Sequence, residues 1–316
     1  SHRSFAAAIA FSKTEVLQTA IFEALILGVI VTAQTGFAIA LGVFATVLLS
    51  FAKARLALGN LGASYIRFSY AFPLAWLFLY IYISSTGAAV AELPTGFWFW
   101  IYLAALTQVI FTILLGQLFS HRSFAAAIAF SKTEVLQTAI FEALILGVIV
   151  TVQTGFAIAL GVFATVLLSF AKAKLALGNL RAAIFSRQVA IGLGAGAFLG
   201  FCTVCYGAAL KSMNGGDVIG NAIYAAAIGT TIQAVCFGIY IFIVSRGQFI
   251  ASFTHWRQCS LAGIWAATSS IFWFAGFALH SVAPVRAVGQ IELLFSVGFS
   301  VLYFKERISR VEFAAI

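Results

Sequence analysis

The sequence predicts an all-α protein, a polytopic membrane bundle of about ten hydrophobic helices. Its composition is the first reason. The 316 residues are 63% hydrophobic and 9% charged, with a mean hydropathy of +1.07. An ordinary soluble domain is roughly 45–50% apolar and about 25% charged. One globule cannot hide so much apolar surface from water. The second reason is distribution. The apolar residues fall in separate stretches of spanning length, without the ten-residue alternation of a barrel strand, so helices are expected.

Hydrophobic runs place the helices at 5–28, 35–52, 62–84, 96–118, 123–147, 154–171, 187–210, 219–245, 259–280 and 283–304. The first two copy the fifth and sixth. Residues 1–61 recur at 120–180 with two differences, Ala33 to Val152 and Arg55 to Lys174. Such near-identity reads as a recent duplication or an assembly error, and Glu15 and Glu23 are then passengers copied from Glu134 and Glu142. The fourth run opens on Phe97-Trp98-Phe99-Trp100, an aromatic belt at the outer interface. The seventh carries Gly192-Leu193-Gly194-Ala195-Gly196, read as close helix packing. A fainter repeat, shifted by 158, lays Ser123–Glu134 over Ser281–Glu292 and Phe141 over Phe299. Drifted repeats of several helices are common in secondary transporters. Under that shift the tail after Val311 ends where the sixth run begins, so the second half is expected to lack its last helix. The only methionine is Met213, so a fragment or trimmed product is expected.

Basic residues orient the chain. Lys53, Arg55, His121, Arg122, Lys172, Lys174, Arg181, Arg187, Arg246, Arg257, Lys305, Arg307 and Arg310 fall in loops on one side. Glu92, the turn after Gly147, Lys211 with Asp217, and His280 fall on the other. The basic side, with both termini, is expected in the cytoplasm. The net charge of +9 and pI near 9.6 are thus orienting charge, and no nucleic-acid partner is expected. Cys202 and Cys205, inside an apolar run, read as small hydrophobic filler.

Charges inside apolar helices each cost roughly 2.5–3.5 kcal/mol on the insertion scale and need a partner, a cavity or a task. Ser131, Glu134, Thr138 and Glu142 lie within about 80° on one helix face. The repeat places Glu292, Ser296 and Ser300 on the matching stripe. Two related helices thus aim one carboxylate each at a common interior, where a midplane site is expected. Capping of the helix dipole is the structural alternative for both glutamates. Lys132 points about 160° from Glu134, either snorkelling to the interface or lining the cavity. Arg67 reaches lipid phosphate or a carboxylate in the cavity, with the first reading preferred. Arg286 is read as an interface anchor. Enzyme chemistry is not expected, because no H-E-x-x-H occurs and Asp217 is the only aspartate. No cofactor is expected.

The stretch Arg122–Glu134 with Leu146-Gly147, the stretch Gly289-Gln290-Ile291-Glu292 through Ser309, and Leu61–Phe68 resemble the EamA-type branch of the drug/metabolite transporter superfamily. The resemblance covers roughly 61–316. It implies ten helices in two inverted five-helix halves around a central cavity, and export of metabolites, amino acids or drugs, often with proton coupling. In that frame, 62–181 is a first half lacking its usual first helix, and 182–316 a second half lacking its last. One departure is that Val148 and Ile149 stand where the family has an acidic residue, which the second half keeps as Glu306. The expectation is a secondary transporter in a bacterial inner membrane, a monomer or homodimer with a small-molecule substrate. Its substrate or proton-coupling residues would be Glu134, Glu292, Lys132, Gln137, Thr138, Glu142, Gln290, Ser296 and Arg67. The alternatives are a rearranged chain that does not transport and, after it, an intramembrane enzyme.

Overall fold

The computed structural model describes residues 59–89, 91–118, 133–148 and 187–289, with isolated positions between 151 and 163. Its helices are α1 (Asn60–Ser69), α2 (Ala71–Thr86), α3 (Thr95–Leu118), α4 (Glu134–Leu146), α5 (Arg187–Ser212), α6 (Val218–Val244), α7 (Arg246–Thr254), α8 (Trp256–Leu279) and α9 (Val282–Gly289). No strand occurs among the described residues. The expected helices at 5–28 and 35–52, most of 154–171, and the outer parts of 123–147 and 283–304 lie outside them.

Five stretches among the described residues are long and apolar enough to cross a membrane: Leu61–Thr86, Thr95–Gln117, Val189–Ser212, Val218–Val244 and Cys259–Leu279. They coincide with five of the hydrophobic runs. The first is broken at Tyr70. Pro73 has no N–H to give the Ser69 carbonyl and its ring crowds that carbonyl, so α1 and α2 meet at a kink. The helix α2 ends where Gly87 turns left-handed at φ 67°, and α4 ends likewise at Gly147, φ 65°. Asp217 starts α6, its Oδ1 accepting from the Ile219 and Gly220 N–H groups at 2.9 and 3.1 Å and from the Tyr82 hydroxyl at 2.9 Å.

Helix α7 was not expected from the sequence. It straps the foot of α1: the Gly62 N–H donates to Gln248 Oε1 at 2.9 Å, and the Tyr70 hydroxyl to the Ser252 carbonyl at 2.8 Å. Helix α5 packs along α3 and α4, while α6 packs against α1, α2, α3 and α8. Phe97, Ile101, Tyr206, Ile228, Phe274 and Phe277 fill the main core. Tyr65, Phe68, Val109, Phe237 and Ile241 form a second one.

The outside is as apolar as the inside. Tyr80, Leu144 and Ile243 are 70%, 77% and 76% exposed. Lipid solvates such a surface, provided that every backbone polar group is satisfied within the helices. The bundle ends also differ. Reciprocal backbone bonds join Glu92 and Asn214 at one end, while exposed Arg187, Arg246 and Arg257 mark the other.

Candidate functional site

The site begins with the spacing of α4. Glu134, Thr138 and Glu142 are buried, whereas Leu136, Ile140 and Leu144 are exposed. Each set recurs every four residues, and the two are offset by two, about 200° around the helix. The polar stripe therefore faces protein and the apolar stripe faces out. The Thr138 hydroxyl donates back to the Glu134 carbonyl at 2.7 Å, which satisfies it without a partner on another helix. Helix α5 can then approach closely. A Cβ on Gly200 would stand 2.9 Å from Thr138 Oγ1 and 3.0 Å from the Glu134 carbonyl oxygen.

Glu142 caps a different helix. Its Oε1 and Oε2 accept from the backbone N–H groups of Val282 and Ala283, each at 2.7 Å. Those first-turn donors of α9 have no acceptor within their own helix, and the helix start favours negative charge. One turn further along α9, the Arg286 guanidinium forms a buried ion pair with the Glu134 carboxylate. It also lies 4.9 Å from the Trp273 ring centroid of α8. The order of contacts, Glu142 with 282 and 283 and Glu134 with 286, makes α4 and α9 antiparallel.

Neutral polar groups continue this centre into the bundle. The Cys202 thiol of α5 donates to Gln108 Oε1 of α3 at 3.1 Å. A turn further, the Gln233 amide of α6 donates to the Tyr206 hydroxyl, and the Tyr206 ring lies 4.4 Å from that of Phe274. All four cysteines are free, and Cys202, Cys205 and Cys259 are buried.

The structure thus brings together Glu134, Thr138 and Glu142 of the predicted residues. Gln137 turns towards α5, its amide 3.4 Å from the Leu193 carbonyl. Its Oε1 is buried with no hydrogen-bond partner among the described residues. Arg67 stands apart in the last turn of α1, half-buried and 6.0 Å from the Phe68 ring centroid; α1 packs chiefly on α6, α8 and α7. Lys132, Gln290, Glu292 and Ser296 lie outside the described residues.

One expectation is corrected. Arg286 is no interface anchor: it is 7% exposed and paired with Glu134, because α9 packs its first turn onto α4. Of the Gly192–Gly196 run, Gly192 and Gly196 are buried, while at Gly194 a Cβ would meet nothing within 4 Å. Further along α5, a Cβ on Gly200 or Gly207 would press on Thr138 or Val282. Sequence reasoning also passed over Gln108 and Gln233, although an amide in the middle of a spanning helix is a signal of the same kind as a charge there.

No protein family matches the sequence, and no curated protein does. Eight solved chains match it in structure. One of them, described only as "Crystal structure of protein", superposes with a TM-score of 0.61 at 13% identity, over 98% of this chain and 93% of its own. At that identity the likeness concerns the fold alone.

Proposed function

We propose that this chain is a secondary transporter of small metabolites, of the EamA type, built on two inverted five-helix halves in a bacterial cytoplasmic membrane with its basic end inside. One observation carries the reading. Glu134 and Arg286, both buried, pair across α4 and α9, and these helices belong to the two runs that the 158-residue repeat relates. Their antiparallel packing is the relation inverted halves require, and a polar centre between repeats is where transporters place substrate and coupling ion. In this reading Glu134 and Glu292 carry the coupling proton, and Gln137, Thr138 and Ser296 supply hydrogen bonds. The near-identity of 1–61 and 120–180 favours the second reading, a rearranged chain that does not transport.

Reconstitution separates the two. Proteoliposomes loaded with a mixture of amino acids and small organic acids should exchange labelled solute faster than empty liposomes. Glu134→Gln should slow that exchange about tenfold or more. Exchange at the empty-liposome rate for the whole mixture would favour the second reading.

A further inference from the structure

We infer that Arg286 is a binding site for the carboxylate of an organic anion, and that Glu134 occupies that site when no ligand is bound. This inference rests on the transport reading and names its substrate class. An arginine buried in an apolar bundle needs a counter-charge. Here that charge comes from another helix, α4, across the interface of the two repeat-related runs. Glu134 is itself a carboxylate on a short flexible stem. What it presents to the guanidinium, a carboxylate oxygen on Nη2, is therefore what a carboxylic acid ligand would present.

The surroundings fit a small, partly apolar anion. Trp273 covers the guanidinium at 4.9 Å and itself packs against the main core that holds Phe274 and Tyr206. Cys202 and Gln108 bring neutral polar atoms to α5, the helix that packs along α4. Depth fits too. Glu134 lies twelve residues before the end of α4 at Leu146, about 18 Å along the axis at 1.5 Å per residue, which is near the centre of a hydrocarbon core roughly 30 Å thick. Glu142 keeps α9 in place when Glu134 lets go, because its two bonds are to the α9 backbone and do not involve Arg286.

A carboxylate ligand then binds by exchange: it takes the guanidinium and Glu134 leaves. A purely structural ion pair makes the opposite prediction for removal of Glu134. The test uses the full chain in nanodiscs, with benzoate as the anionic probe, benzamide as the neutral one and benzylammonium as the cationic one. Binding is read from tryptophan fluorescence and repeated in Trp273→Phe to assign the signal. Benzoate should bind and the other two should not. Glu134→Gln should bind benzoate about tenfold tighter, the size of one charge-assisted hydrogen bond removed from competition. Arg286→Gln should lose binding, and Arg286→Lys should retain a weakened form of it, with thermal unfolding confirming that each variant is folded. Weaker benzoate binding in folded Glu134→Gln, or unchanged binding in folded Arg286→Gln, overturns the inference. Exchange of benzamide or benzylammonium in proteoliposomes without benzoate binding overturns the site and leaves the transport reading standing. Benzoate binding with no exchange of any solute leaves the site standing and removes the transport reading.

Discussion

Glu142 carries two oxygens and meets two backbone donors, so its substitution separates charge from shape. Glu142→Gln keeps the volume but turns one acceptor into a donor that faces the N–H of α9. Hydrogen bonds to charged groups contribute about 1.5–3 kcal/mol each, so unfolding in mixed micelles should show a loss on the order of 2 kcal/mol. The ion pair deeper in the bundle has a different signature. Arg286→Met alone leaves Glu134 buried with its main counter-charge gone, at a cost of about 3–5 kcal/mol. Adding Glu134→Leu should restore much of that loss, and a double-mutant cycle with no coupling would rule out the pair as drawn. Glu134, Thr138 and Glu142 were legible in the sequence because a four-residue spacing fixes their common face. The partner of Glu134 was not. Arg286 stands near a helix start, where an interface anchor is the ordinary reading, and only the packing of α9 on α4 removes it from the surface.

Two glycines of α5 make opposite predictions at the scale of the element. At Gly200 an added methyl meets backbone and the Thr138 hydroxyl at about van der Waals limits or closer, so Gly200→Ala should push α4 from α5 and lower the unfolding temperature. At Gly194 the same change meets open space and should raise stability by up to about 1 kcal/mol, the helix-propensity difference between the two residues. The spanning helices were legible because a bilayer dictates both their length and their composition. Two features were not. Helix α7 is nine residues long, too short to span a bilayer and so without the long apolar run that marks a spanning helix. The break at Tyr70 depends on Pro73 within an apolar run that looks continuous.

For the whole molecule, the proposed orientation rests on the division of charge between the two ends. A single cysteine placed at Arg257 should react with an impermeant maleimide only in inverted vesicles, and one placed at Glu92 only in right-side-out vesicles. The opposite pattern would invert the proposed topology. Which loops share an end was legible in the sequence, since loop charges alternate: Arg187, Arg246 and Arg257 fall together, away from Glu92. Which groups meet inside the bundle could not, because spacing orders residues around one helix but does not choose the neighbouring helix. The central claim is that the Glu134–Arg286 centre serves solute movement. Solute exchange by the full chain in proteoliposomes, compared with folded Arg286→Gln, tests it most directly. The account predicts exchange well above empty liposomes for the native chain and near the empty-liposome rate for the variant; equal exchange by the two would contradict it.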